Sequence, residues 1–159
     1  MTEKKTEKNS GDVSVATNRK ALHDFHIQET YEAGLVLDGP EVKSLRGRQA
    51  RLEGSFVRVE NGEAFIYNMH ISPYSYTHHY AGDPLRTRKL LLKPAELRRL
   101  ETDSRIKGCA IVPLELYFRR GWAKLKIAVA RGKKSPDKRD AIKRRDLNRE
   151  LGRNSGYKI

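Results

Sequence analysis

The sequence predicts a mainly β protein, an OB-fold-like closed antiparallel barrel with two or three short helices and a basic C-terminal tail. Apolar and polar residues alternate over residues 25–37, as they do in a strand that is buried on one face. Asn61-Gly62 is a strong signal for a tight hairpin between two strands. Five or six antiparallel strands at hairpin spacing are typical of a small barrel, and the OB fold is the common nucleic-acid-binding type.

The strands are predicted from alternation and from the turns that separate them. They cover residues 25–37, 52–59, 64–71, 109–118 and 122–130, with a brief apolar run at 89–92. In the last strand, apolar residues alternate with Lys124 and Lys126, so one face is apolar and the other is basic. Two short helices begin with proline at a first helical position, one over residues 40–46 and one over residues 95–103.

The chain divides into three predicted parts. Residues 1–17 are polar and mixed in charge, which predicts a disordered arm, and residues 18–130 contain the barrel. Residues 131–159 form a tail with eleven Lys and Arg residues and four Asp and Glu residues, a net charge of +7 out of the chain's +13. Ser135 and Pro136 are good signals for a helix start. Because the tail buries little apolar surface, we predict that it is disordered when free and helical on a polyanion.

Composition restricts the class of partner. A formal charge of +13 at pH 7 indicates a ligand that carries phosphates. No apolar run is long enough to span a bilayer and the N-terminus has no signal-peptide core, so we expect no membrane association. The lone Cys109 agrees with a reducing, cytoplasmic location.

The sequence predicts neither an enzyme nor a cofactor. No Ser/His/Asp set, phosphate-cradling glycine loop or pair of catalytic carboxylates stands out. His78, His79 and Asp83 offer metal ligands in one loop, which makes a hydrolase an alternative class. The remaining ligands are missing and the spacing fits no strong zinc pattern, so we predict no metal site.

Several strings of residues occur together in an order that resembles one family. They are EAGLVLDGPEVKSLR at residues 32–46, DPLRTRKLLL at 83–92 and GKKSPDKR at 132–139. The chain resembles the SsrA-binding protein family, also called small protein B, over residues 18–143. No single string would suffice, because a basic run alone also fits ribosomal or disordered proteins.

The resemblance implies an RNA-binding protein of bacterial trans-translation. Its barrel would bind the tRNA-like domain of transfer-messenger RNA and deliver this RNA to stalled ribosomes. Its tail would occupy the empty messenger channel and the decoding centre, against small-subunit ribosomal RNA. Elongation factor Tu would be an indirect partner through charged transfer-messenger RNA, and the protein would be a cytoplasmic monomer. The alternative is a general OB-fold RNA-binding protein associated with ribosomes.

The resemblance also implies two sets of RNA-binding residues. The barrel set has four carried-over positions and four neighbours: Asn18, Glu32, Leu91 and Lys124, then Arg19, Lys20, Arg86 and Lys89. The tail set, for the ribosome, is Gly132, Lys133, Lys134, Asp137, Lys138, Arg139, Lys143, Arg144 and Arg145. Many relatives carry His or an aromatic residue just before the DKR triplet, where this chain has Pro136.

Some of these residues also have ordinary structural explanations. Glu32 either accepts a hydrogen bond from an RNA base or orients an arginine, or it is an exposed acid paired with a lysine. Lys124 alternatively belongs to a solvated face, and Leu91 alternatively belongs to the core. Trp122 and its neighbours Tyr117 and Phe118 form either a stacking platform for bases or part of the barrel packing, which we favour.

Overall fold

The computed structural model describes residues 11–74, 82–133 and 145. These residues form nine strands and three helices, which confirms the predicted mainly β class. In chain order the elements are β1 (Val13–Thr17), α1 (Arg19–Asp24), β2 (Phe25–Leu35), α2 (Gly39–Arg46), β3 (Ala50–Arg51), β4 (Phe56–Glu60), β5 (Glu63–Tyr67), β6 (His70–Ile71), β7 (Arg88–Leu91), α3 (Pro94–Ser104), β8 (Cys109–Arg119) and β9 (Trp122–Gly132).

Seven of the strands form one antiparallel sheet. Its order is β1-β8-β4-β5-β7-β2-β9, and β9 pairs with β8 as well as with β2. The pairings therefore lead from β8 through β4, β5, β7, β2 and β9 back to β8. The two short strands β3 and β6 pair separately.

The inner face of the sheet surrounds the main hydrophobic core. Alternate residues of the strands point into it, and Ala33 of β2 and Leu125 and Ile127 of β9 are fully buried. The helices α2 and α3 add the fully buried Leu45 and Leu100. Burial of each leucine side chain stabilises the fold by about 2 kcal/mol, which accounts for the packing of both helices against the core.

Two hairpin turns have the backbone conformation that the right-handed twist of strands favours. Asn61 and Gly62 have φ angles of 49° and 74°, and Arg120 and Gly121 have φ angles of 51° and 80°. Positive φ at both central residues is typical of the type I′ turn. The predicted hairpins at both places are confirmed.

The N-terminal part is more ordered than the sequence predicts. Residues 13–17 were expected in a disordered arm, and this prediction is wrong because they form β1, which pairs with β8. A helix that the alternation did not indicate, α1, follows directly and buries Ala21 in a second, smaller apolar cluster against β8 and β9. Residues 1–10 lie outside the described part of the chain.

Several predicted strands differ from the observed ones at their ends. The strand predicted from residue 52 begins at Phe56, because Gly54 has a φ of 79° in the preceding turn. The strand predicted over residues 64–71 is two strands, since Asn68 interrupts it with a φ of 60°. The last strand continues to Gly132, two residues beyond the prediction. None of the described helices is long and apolar enough to cross a membrane.

Candidate nucleic-acid interface

Strand register brings three of the predicted residues to one outer face of the sheet. Gly34 of β2 lies opposite Leu91 of β7 on one side and Lys124 of β9 on the other. Glu32 is two positions before Gly34 and therefore points to the same face. Leu91 is 54% exposed, so the alternative that placed it in the core is wrong.

Glu32 is held by two neighbours on β8. Its carboxylate accepts hydrogen bonds from the Tyr117 hydroxyl and from the guanidinium of Arg119. The structure thus bears out the interpretation in which Glu32 orients an arginine. The guanidinium also lies over the Tyr117 ring, 5.5 Å from its centroid.

Arg119 connects Glu32 to the start of the described chain. Its Nε and Nη2 donate to the two carboxylate oxygens of Asp12 at 3.1 and 2.9 Å. Hydrogen bonding to Arg119 lowers the pKa of Asp12, and hydrogen bonding to Asp12 raises the pKa of Arg119. Burial, with the hydrogen bond to Glu32, raises the pKa of Tyr117. The network therefore keeps Arg119 charged and Tyr117 a hydrogen-bond donor.

The network includes two residues that are not among the predicted site residues. Asp12 lies in the predicted disordered arm, and Arg119 lies in the hairpin between the last two strands. Tyr117 and Arg119 alternate with core residues of β8, which was a usable signal for the outer face. No local signal joins Asp12 to Arg119, because they are 107 positions apart.

The three aromatic residues near the last hairpin have different environments. Phe118 belongs to the main core, as the packing alternative predicts, and Tyr117 is buried under the Glu32 network. Trp122 is 73% exposed and lies opposite Arg119 in the ladder, so the packing alternative is wrong for this residue. It alternates with core residues of β9, so it shares the outer face with Lys124.

Asn18 anchors the first helix. Its side-chain Nδ2 donates to the carbonyl oxygens of Pro113 at 2.9 Å and Leu52 at 3.5 Å, and its Oδ1 caps α1 by accepting from the Ala21 N–H. The side chain is buried, so its direct contact with RNA stays a prediction.

The residues that follow Asn18 are available to a ligand. Arg19 and Lys20 form the exposed first turn of α1. The ammonium of Lys20 lies 3.5 Å from the carboxylate of Glu53, and both side chains are mostly exposed. Such an exposed pair is weak and easily opened by a phosphate.

Arg86 and Lys89 both pair with carboxylates of the protein itself. Arg86 pairs with Glu41 and lies 3.6 Å from Asp38, and Lys89 donates to Glu63 at 3.0 Å. Lys89 and its carboxylate partner are both about half exposed, so this pair too is weak.

A buried arginine that is not among the predicted site residues supports this region. Arg88 is 1% exposed and donates to Glu41 and to the carbonyl oxygens of Met69 at 2.6 Å, Arg86 at 3.0 Å and Pro84 at 3.1 Å. A buried charge with this many hydrogen-bond partners is a structural element of the loop before β7.

Glu41 is the counter-ion of this arginine. Burial opposes its ionisation, but the backbone N–H of Asp38 and the two arginine side chains outweigh burial. The pKa of Glu41 is therefore held below its ordinary value of 4.5.

Most of the predicted tail site lies outside the described residues. Gly132 ends β9, and the N–H of Lys133 donates to the carbonyl oxygen of Asp24 at 2.8 Å, so these two belong to the folded part. Arg145 is helical and exposed. The other predicted positions, Lys134, Asp137, Lys138, Arg139, Lys143 and Arg144, are outside, as are Pro136, His78 and His79. Within the described ranges no three potential metal ligands cluster.

The outer face described above combines a lysine, an exposed leucine, an exposed tryptophan and a carboxylate held by an arginine. On a mainly β scaffold with a large positive charge, this combination defines a small RNA-binding protein. Residues 15–156 match the family described as SmpB protein. The chain belongs to this family.

Individual relatives are similar over almost the whole chain. The SsrA-binding protein of Elusimicrobium minutum is 50% identical over 152 residues, which cover 96% of this chain and 97% of the relative. The SsrA-binding protein of Geobacillus kaustophilus is 52% identical over 139 residues, which cover 87% and 90%. A solved structure described as "tmRNA-SmpB: a journey to the center of the bacterial ribosome" is 50% identical with a TM-score of 0.65, covering 75% of this chain and 84% of that chain.

Proposed function

We propose that this protein binds the tRNA-like domain of transfer-messenger RNA and delivers this RNA to stalled ribosomes for trans-translation. The observation that carries the proposal is the convergence of Glu32, Leu91 and Lys124 from three strands on one exposed face. Family membership and the tmRNA-SmpB structural relative support the same function.

The chemistry of this face suits a folded RNA. Lys124 neutralises a phosphate and releases counterions, while Glu32 accepts a hydrogen bond from a base amine or a ribose hydroxyl. Arg119 reduces the repulsion between the Glu32 carboxylate and RNA phosphates, because its guanidinium compensates the negative charge and holds a carboxylate oxygen in place. Leu91 then offers apolar contact to a base or sugar.

The ring of strand pairings supports an OB-type closed barrel as the rigid carrier of this face. Because β1 pairs with β8 and β9 ends at Gly132, the folded unit in this proposal extends over residues 13–133 rather than 18–130. The tail begins after Lys133.

The tail recognises a second RNA. Its lysines and arginines, from Lys134 onward, meet ribosomal phosphates in the empty messenger channel and the decoding centre, where the segment becomes helical. A messenger in the channel competes for the same space, which makes the protein selective for stalled ribosomes. The protein acts as a monomer in the cytoplasm and contacts elongation factor Tu through charged transfer-messenger RNA. It performs no catalysis in this role.

Truncation tests the division of labour between the two parts. A chain that stops after Lys133 keeps every described strand, so it should bind transfer-messenger RNA nearly as tightly as the full chain. It should lose peptide tagging on stalled ribosomes. Loss of both activities would contradict the division.

A charge reversal tests the barrel. Lys124→Glu should weaken the binding of transfer-messenger RNA in gel-shift titrations, with a shallower dependence on salt. Lys107→Glu, at an exposed position outside the strands, is the matched control.

The choice of RNA tests the alternative function. If the unmodified protein binds ordinary tRNA as tightly as it binds transfer-messenger RNA, a general ribosome-associated RNA-binding protein is favoured instead.

A further inference from the structure

A groove lies beside the first strand, at the end of α2 and at the turn between β8 and β9. It encloses about 320 Å³. This volume is at the lower end of the range for small-ligand sites, about 300–1,000 Å³. Its apolar lining includes Val13, which is 52% exposed, and the buried Leu45 and Phe118. Three arginines also line it: Arg46, Arg48 and Arg120.

The electrostatics of the groove favour an anion. Its described lining contains no acidic residue, and the three arginines are exposed and make no ion pair within the described part of the chain. The nearest acid in sequence, Asp12, lies between two lining residues, but both of its oxygens are bound by Arg119. Three unneutralised guanidinium groups beside the apolar lining therefore remain for a ligand.

Two of the arginines have a left-handed backbone conformation, which costs arginine more free energy than it costs Gly or Asn. Arg48 and Arg120 have φ angles of 56° and 51°, a region that Gly and Asn favour. The corresponding place in the other type I′ hairpin is taken by Asn61, with a φ of 49°. Arginine at these turns is thus explained by its side chain rather than by the backbone.

We propose that this groove binds an unpaired nucleotide of transfer-messenger RNA, with phosphates on the arginines and a base or sugar face on the apolar lining around Val13. Paired RNA shows its phosphates but hides its base faces, whereas an unpaired nucleotide offers both chemistries that the groove supplies. This inference rests on the proposed function and adds a second contact for the same RNA.

The position of the groove supports this RNA as the occupant. Asp12, between the lining residues Gly11 and Val13, is joined through Arg119 to Glu32 on the first RNA-binding face. The preceding residues 1–10 are a poor occupant, since their three lysines and two glutamates carry no net negative charge.

A triple substitution tests the groove in the full-length chain. In Arg46→Gln, Arg48→Asn, Arg120→Asn, asparagine replaces arginine at the two positive-φ positions. Asparagine tolerates this conformation, and the chain itself has it at positive φ at Asn61 and Asn68. The control with equal loss of charge is Arg98→Gln, Arg105→Gln, Lys107→Gln, three exposed residues on or after α3. Arg120→Asn alone is the minimal variant should the triple variant unfold.

The measurements are affinity for transfer-messenger RNA as a function of salt, and a nuclease footprint. Loss of three phosphate contacts should lower the slope of log K against log salt by about 2, with an affinity loss of roughly ten- to a hundredfold. Protection of unpaired nucleotides should disappear while protection due to the Lys124 face remains. The control should keep the slope and the footprint.

Two results would overturn the inference: a triple variant that binds transfer-messenger RNA as tightly as the control, or loss of protection only in paired regions. If the affinity is unchanged, ribosome binding of the triple variant is measured as well, and weaker binding there would assign the groove to ribosomal RNA. Failure of the unmodified protein to bind transfer-messenger RNA would instead overturn the proposed function.

Discussion

Glu32 and Arg119 form an ion pair across the outer face of the sheet, although 87 positions separate them in the chain. Arg119 uses its remaining nitrogens to bind both oxygens of Asp12, next to β1. One guanidinium thus fixes the Glu32 carboxylate on the outer face and also binds the residue that precedes the first strand. The arrangement of the outer face and the attachment of the N-terminal strand therefore depend on the same side chain.

Replacement of Arg119 should reduce both stability and RNA binding. Arg119→Lys keeps the charge but lacks the planar fork that bonds two carboxylates. We expect a loss of about 1–2 kcal/mol in the free energy of unfolding, measured in urea. Arg105→Gln, which removes an exposed pair with Glu101, should cost less than about 0.5 kcal/mol.

The RNA affinity of Arg119→Lys shows whether the geometry of Arg119 matters for binding, because this variant keeps the positive charge. Arg119→Lys should weaken transfer-messenger RNA binding several-fold, because Glu32 keeps only its hydrogen bond from the Tyr117 hydroxyl. Unchanged RNA affinity in this variant would show that Glu32 needs no positioning by Arg119.

Leu91 should contribute to RNA binding without contributing to stability. It is 54% exposed, so Leu91→Ser should change the free energy of unfolding by less than about 0.5 kcal/mol. The affinity for transfer-messenger RNA should fall several-fold in the same gel-shift titration. Ile106→Ser is the control, because Ile106 is similarly exposed, at 48%, outside the strands. An affinity loss of equal size in the control would remove the special role of Leu91.

Trp122 should report RNA binding by its own fluorescence. It is the one tryptophan of the sequence and is 73% exposed on the face that carries Lys124. Contact with a base should change its emission on titration with transfer-messenger RNA. Trp122→Ala should weaken binding by about 1–3 kcal/mol if a base stacks there, and Trp122→Phe should weaken it less. Emission that stays constant at saturating RNA would exclude the contact.

Acid should weaken the fold through Glu41. Its pKa is below the ordinary 4.5 in the folded state, so it stabilises the protein at pH values above 4.5. That contribution is lost as the pH falls through the lowered pKa. Glu41→Gln should be less stable by about 3 kcal/mol at pH 7, because the buried Arg88 loses its counter-ion.

The comparison with pH checks the cause. The stability difference between Glu41→Gln and the unmodified protein should narrow as the pH falls below 4.5. Glu63→Gln, which removes a half-exposed pair with Lys89, should cost less than about 0.5 kcal/mol at pH 7. A difference that is constant from pH 7 to pH 3 would show that ionisation of Glu41 is not involved.

The elements that sequence reasoning predicted have local signals. Both hairpins are predicted by their turn residues, Asn61-Gly62 and Arg120-Gly121. Two helix starts are predicted by Pro40 and Pro94. β1 has only five residues, Val-Ser-Val-Ala-Thr, and it follows a polar, charged segment. Its brief alternation is too short to predict a strand until β8 is placed beside it.

The candidate site also contains residues with a local sequence signal and residues without one. Lys124 and Lys126 stand out from the alternation of β9, and the family resemblance supplied Glu32 and Leu91. The burial of Arg88 and the binding of Asp12 to Arg119 have no counterpart in the local pattern. Each joins groups that are distant in the chain, and hydrogen-bond partners at such distances follow from register and packing.

The sequence by itself determined the mainly β class, the hairpin turns, the excess of positive charge and its concentration in residues 131–159. These properties depend on neighbouring residues and on composition. Only the tertiary structure decided that Glu32 is held by Arg119, that Leu91 faces solvent, and that three arginines surround one groove. The physical reason is that pairing of strands brings residues from distant parts of the chain within hydrogen-bonding distance, and their energies depend on that proximity.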